Sequence, residues 1–236
     1  PEEHVPEKDQ HFHFVESATR AILMGFAQNR RVYLYGPHGS GKSSHIEQVA
    51  ARLNWPCIRI NLDGHITRAD LIGRDMVVIR DGKQVTEFVP GMLVWAMQRP
   101  IALILDEYET QGKLTLLDQN QVITPHPCFR LFATANTAGQ GDATGLYVGT
   151  QALNQAQLDR WHVTTELGYM TAEAETQLLQ RKLSDLPIEQ VQRMVTCAGL
   201  LRQAFAQGDL TTLISLRTLI AWGENTLLLS YAVELL

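Results

Sequence analysis

Cysteine is scarce in this sequence. Only Cys57, Cys128 and Cys197 occur among 236 residues, far apart, odd in number and without a C-x-x-C pair. That argues against a disulfide framework and a thiolate zinc site, and for buried free thiols in a reducing compartment. A basic excess is also missing. Lys and Arg number 20 against 25 Asp and Glu, a formal net charge of −5. General nucleic-acid binders draw most of their affinity from phosphate neutralisation, so no nucleic-acid partner is expected. No uninterrupted apolar run approaches the length of a membrane span. The polar start Pro1-Glu2-Glu3-His4 offers no apolar h-region of a signal peptide. A cytoplasmic chain without a membrane partner is the expectation, and the absence of an initiator Met suggests a fragment or a processed form. What is present is apolar content, 45% of the residues, enough to bury a sizeable core.

The apolar residues are patterned. After a polar segment to about Gln10, expected to be poorly ordered, Ala18, Ile22, Leu23 and Phe26 recur at helical spacing between Glu16 and Gln28. Val32-Tyr33-Leu34-Tyr35 reads as a buried strand, and residues 43–53 as a helix that Asn54-Trp55-Pro56 breaks. Residues 57–62, 101–105 and 130–136 read as three further strands. Apolar strands alternating with helices imply a parallel sheet covered on both faces. Asp81-Gly82 between alternating runs is a hairpin signal. Leu114–Leu117, turning through Asp118-Gln119-Asn120 into Val122-Ile123, is a second candidate. From about Thr171 onward helical periodicity takes over and reads as a small helical domain.

The segment Gly36-Pro37-His38-Gly39-Ser40-Gly41-Lys42-Ser43 fits G-x-x-x-x-G-K-[ST] in full. Glycines let backbone N–H groups turn inward around phosphate oxygens, and the following helix adds its positive dipole end. A buried strand before and a helix after supply the context that the motif needs. These residues and Ser44 are the expected nucleotide-binding set, with Lys42 on the β- and γ-phosphates and Ser43 on Mg²⁺. Asp106-Glu107 closes a fully apolar strand, and strand carboxyl ends gather where the ligand of a parallel sheet binds. Asp106 is thus a second Mg²⁺ ligand, direct or through water, and Glu107 the group that polarises the attacking water. No Asn/Thr-Lys-x-Asp segment for a guanine edge is present, so ATP is the expected nucleotide by elimination.

Together with residues 45–57, 84–88, 105–108, 114–119, 129–137 and 154–161, these motifs resemble the AAA+ family. Within it the chain is similar to the MoxR-like group with an insert in the second helix, and there to the ATPase subunits of aerobic cobaltochelatase. The resemblance implies a P-loop AAA+ parallel sheet flanked by helices, over residues 1–170 with hairpin inserts at about 74–90 and 113–124. Residues 171–236 match a small C-terminal helical lid domain. Asn136 matches sensor 1, Arg160 in Leu158-Asp159-Arg160 matches an arginine finger acting on a neighbouring subunit, and Arg217 matches sensor 2 on the lid. A homo-oligomer in the form of a hexameric ring is implied. So are two partners: a large cobaltochelatase subunit, and a third subunit with a metal-binding domain. The implied reaction is Co²⁺ insertion into a corrin precursor of cobalamin. A MoxR-type chaperone acting on another metalloenzyme is the alternative. A nucleic-acid motor is disfavoured by the charge balance, and a small-molecule kinase by the pairing of Asn136 with a finger in trans.

The sequence departs from the family pattern after Tyr108. Glu109–Lys113 leaves no room for a crossover helix, so a segment of roughly twenty residues is expected to be missing between Tyr108 and Glu109. A second gap is expected near Leu229-Ser230, and Leu216 stands where the family carries Pro. The eight histidines, His11, His13, His45 and His65 among them, read as surface or satisfied core residues rather than metal ligands. Trp55, Trp95, Trp161 and Trp222 read as packing residues, and Val191, Met194, Val195, Ala198 and Leu201 as lid core.

Overall fold

The computed structural model describes residues 2–62, 66–80, 82–108, 124–138 and 158–234, with side chains up to Leu229. Helix α1 (Glu16–Gln28) buries Ala18, Ile22 and Phe26 on one stripe and stops at Asn29, whose φ of 53° is the left-handed turn that ends many helices. Strand β1 (Val32–Tyr35) leads through the glycine loop into α2 (Lys42–Arg52), and β2 (Cys57–Asn61) follows. Next come α3 (Arg68–Ile72), the hairpin β3 (Gly73–Arg80) with β4 (Lys83–Pro90), and α4 (Met92–Met97). Strands β5 (Ala102–Asp106), β6 (Arg130–Ala135) and β7 (Val163–Glu166) complete the main sheet. Three helices close the chain: α5 (Ala172–Lys182), α6 (Ile188–Ala206) and α7 (Leu216–Glu234).

The five-stranded sheet has the order β2-β5-β6-β1-β7, every pairing parallel. Alternate side chains of its strands feed two separate cores. Tyr33, Leu103, Leu105, Ala133 and Ala135 pack with Leu71, Leu93 and Trp161 on one face. Val32, Leu34, Ala102, Ile104 and Phe132 pack against α1 and α2 on the other. A third core, built from Leu179, Leu183, Leu186, Val191, Met194, Val195, Ala198 and Leu219, holds the three C-terminal helices together. The lid stripe behaves as expected except at Leu201, which is half-buried.

Several expectations need amending. Residues up to Gln10 are docked rather than loose: Gln48 bonds Asp9 N and Glu7 O, Arg52 donates to Asp9 O, and Lys182 pairs with the Asp9 carboxylate at 2.7 Å. Strand β7 went unread because its side chains are only half-buried at every second position on a sheet edge, which leaves no apolar run. Helix α7 runs through Leu229 and Ser230, the point at which the second gap is expected. The hairpin expected at 113–124, the break after Tyr108, the segment 154–157 and His65 lie outside the described residues.

Candidate functional site

Strand β1 has β6 on one side and β7 on the other, while the helix that leaves it, α2, crosses to β2 at the far edge. The chain therefore diverges at the carboxyl end of β1, where parallel sheets open a crevice for ligands. A cavity of about 600 Å³ lies there.

The glycine loop wraps its mouth. Gly39 and Gly41 adopt φ values of 75° and 88°, left-handed conformations that a side chain would resist. Gly41 is the residue before α2, and no side chain caps that helix, an N-terminus of the kind that suits an anion. Lys42 is 8% exposed, and its Nζ donates to Gly36 O at 2.8 Å, Pro37 O at 3.0 Å and Asn136 Oδ1 at 3.2 Å. These bonds gather the loop, the lysine and the end of β6 around one point.

At the end of β5, the buried Asp106 accepts from Ser43 Oγ at 2.8 Å and from the Thr134 hydroxyl, and its second oxygen pairs with the Arg59 guanidinium. The next residue, Glu107, has φ 57°. That region is uncommon outside glycine and costs backbone energy; the turn brings Glu107 into the cavity lining. Glu47, one turn along α2 from Ser43, also lines the cavity. Burial pushes its carboxyl above the ordinary value, Arg59 pulls it back, Asp106 raises it and Arg217 lowers it.

His38, Gly39, Gly41, Lys42, Ser43, Ser44, Asp106, Glu107, Asn136 and Arg217 thus share one cavity. Gly36 and Pro37 stand behind it as carbonyl partners of Lys42. Ser40 Oγ is buried without a hydrogen-bond partner, and an orphaned hydroxyl in a loop of inward-facing donors suits an oxyanion ligand. Arg160 is exposed, does not line this cavity, and sits in the field of Tyr108 beyond the strand end.

Arg59, Thr134 and Tyr169 were missed by sequence reasoning. A charged residue inside Cys57-Ile58-Arg59-Ile60 and a hydroxyl inside Phe132-Ala133-Thr134-Ala135 were the available signals for the first two. His45 is a satisfied core residue, as expected. It is 1% exposed, bonds Thr19 Oγ1 through Nε2 at 2.8 Å and meets Phe12 and Phe14 edge-on.

A parallel sheet in this order, a left-handed glycine loop opening a helix, and an Asp-Glu pair on the neighbouring strand define a P-loop ATPase. The AAA domain of the dynein-related subfamily matches residues 31–153, and the CbbQ/NirQ/NorQ C-terminal domain matches residues 175–228. The aerobic cobaltochelatase subunit CobS of Sinorhizobium sp is 53% identical over 241 residues, covering 94% of this chain and 73% of CobS. The chain belongs to the AAA ATPases, as a MoxR-like member of the CobS family. Among solved structures, the Thermotoga maritima RuvB branch-migration motor shares the fold at 14% identity with a TM-score of 0.59, over 98% of this chain and 67% of RuvB. A FIGL-1 AAA domain in complex with ADP does so at 14% identity and a TM-score of 0.50, over 81% of this chain and 68% of that one. Among the described residues no helix is long and apolar enough to cross a membrane.

Proposed function

We propose that this chain is the ATP-hydrolysing motor subunit of an aerobic cobaltochelatase. The observation that carries the reading is the 53% identity to CobS along 94% of the chain, joined to a cavity in which the phosphate loop, Asp106, Glu107 and Asn136 converge. Bound Mg²⁺·ATP would supply the phosphoanhydride to be cleaved. Lys42 would hold its β- and γ-phosphates, and Ser43 with Asp106 its Mg²⁺; the existing bond between those two side chains supports that pairing. Glu107 would polarise the attacking water, Asn136 would orient it, and Arg217 would approach the phosphates from the lid. Arg160 would serve the site of a neighbouring subunit in a hexameric ring. Residues 1–170 would form the nucleotide-binding domain and 171–236 the lid. In the cytoplasm the ring would act on a large chelatase subunit, with a third subunit carrying a metal-binding domain. Together they would insert Co²⁺ into hydrogenobyrinic acid a,c-diamide.

The experiment is cobalt insertion by the purified large and third subunits with this chain, without it, and with Glu107→Gln. Insertion only with the wild-type chain and ATP is the expected result, and Glu107→Gln should retain nucleotide while turnover stalls. The match of residues 175–228 to a domain named for CbbQ, NirQ and NorQ favours a second reading, a MoxR-type chaperone for another metalloenzyme. Absence of insertion with partners that work alongside CobS itself would select it.

A further inference from the structure

Tyr169, just ahead of the helical lid, and Ser215 within it both meet the phosphate loop, and both lead back to one buried arginine. Arg202 on α6 is 9% exposed. Its guanidinium grips Glu175 of α5 with both terminal nitrogens, at 2.9 and 2.8 Å, and its Nε donates to Ile214 O at 2.8 Å. Every arm of the planar fork is therefore committed to fixing its orientation. The same guanidinium lies 4.5 Å from the centre of the Tyr169 ring, a cation–π contact. Tyr169 Oη donates to His38 O, in the phosphate loop, at 2.8 Å. The second point is Ser215, which follows Ile214 directly. Its Cβ stands only 2.3 Å from where a Cβ on Gly39 would be, so the start of α7 abuts the loop backbone. Arg217 lies two residues further along and faces the cavity.

We propose that Tyr169 and Arg202 are positioning residues that lock the phosphate loop to the first turn of α7 and thereby set where Arg217 stands against the nucleotide phosphates. The inference rests on the ATPase reading above. The locking runs through a loop carbonyl on one side and the Ile214 carbonyl on the other, with a single guanidinium between them. A shift of the loop when phosphates enter would be passed through these contacts to the Arg217 segment. Tyr169 touches no reacting atom in this scheme; it acts through His38 and, by way of Arg202, through Arg217.

The test uses the full chain and a non-hydrolysable ATP analogue with Mg²⁺, titrated calorimetrically into wild type, Tyr169→Phe, Arg217→Ala and the double variant. Tyr169→Phe keeps the ring over Arg202 and removes only the hydroxyl. It should weaken the analogue by roughly three- to tenfold, the value of one hydrogen bond, and lower the ligand-free melting temperature by no more than the few degrees that one such bond is worth. In the double variant the loss should be no greater than in Arg217→Ala alone, because residues that act through one contact are not additive. Wild-type affinity in Tyr169→Phe, or additive losses in the double variant, would overturn the proposal. A Tyr169→Phe protein that melts markedly lower would do so as well, since it would mark the hydroxyl as merely structural. A wild-type chain that fails to bind the analogue defeats the ATPase reading instead, which keeps the two failures apart. Arg202→Lys retains the charge but loses the fork, so it should weaken the analogue at least as much as Tyr169→Phe, and its melting temperature should also fall because the buried Glu175 loses its bidentate partner.

Discussion

At the scale of single residues, two side chains illustrate what burial does to a charge. His45 sits against Phe12 and Phe14 with its Nε2 on Thr19. Burial, and then the field of His13, lower its pKa to about 4. In the unfolded chain the same imidazole titrates near 6.5, so between these values the unfolded state binds more protons and stability rises with pH. Acidifying from pH 7 to pH 5 should cost about 2 kcal/mol through this one group. Denaturant titrations at the two pH values measure the loss, and His45→Gln, which keeps a hydrogen-bonding group near Thr19, should show that much less of it. Lys42 is the opposite case, a cation kept buried because Gly36 O, Pro37 O and Asn136 Oδ1 receive it. In Lys42→Ala those acceptors lose their donor and the loop loses its only ammonium. Nucleotide affinity should fall about a hundredfold, as expected for removing a charge-assisted contact to phosphate, and calorimetric titration with ADP checks it.

At the scale of elements, four of the five sheet strands and the helices α1 and α2 were legible because their apolar periodicity is clean, whereas the short helices α3 and α4 went unread. The buried strands β1, β5 and β6 are runs without polar interruption except at Thr134 and at the two ends, Arg130 and Asp106. The P-loop was legible because its glycines are dictated by backbone conformation, which sequence records directly. What escaped was set by tertiary contact. Edge strand β7 has no apolar run, Arg59 finds Asp106 on the neighbouring strand, and the N-terminal segment is held by Gln48, Arg52 and Lys182 rather than by any pattern of its own. Helix α1 carries a further tertiary constraint at Gly25. A Cβ there would come within 2.8 Å of both Phe132 and Val32, so α1 lies on the sheet at a distance that only a bare Cα permits. Gly25→Val should force the helix off β1 and β6 and destabilise the fold by about 1–3 kcal/mol, the usual cost of overpacking. A lower denaturant midpoint with an unchanged slope is the expected record, and an unchanged midpoint would mean that α1 rides freely on the sheet.

At the scale of the whole molecule, the proposed ring would make each chain, with its own cavity at the phosphate loop, depend on a neighbour for turnover. Arg160 supplies the physical handle. It is exposed, and it lies outside the cavity that gathers the other proposed catalytic groups. An arginine so placed suits action on the phosphates of a second copy, and a cation delivered in trans contributes roughly a thousandfold or more to phosphoryl transfer. Arg160→Ala should therefore bind nucleotide like the wild type yet lose turnover by about that factor. Wild-type activity per subunit should fall on dilution as copies separate. Mixing separates a finger in trans from simple misfolding. Glu107→Gln carries an intact Arg160 but a stalled site; Arg160→Ala carries an intact site but no finger. Each alone should be nearly inactive, and together they should regain turnover, because the finger of one then meets the working site of the other. A steady-state phosphate-release assay across mixing ratios reads this out. Activity that peaks at intermediate ratios supports action between subunits. A flat line at the level of the single variants would place Arg160 in its own subunit's stability or remove it from the reaction.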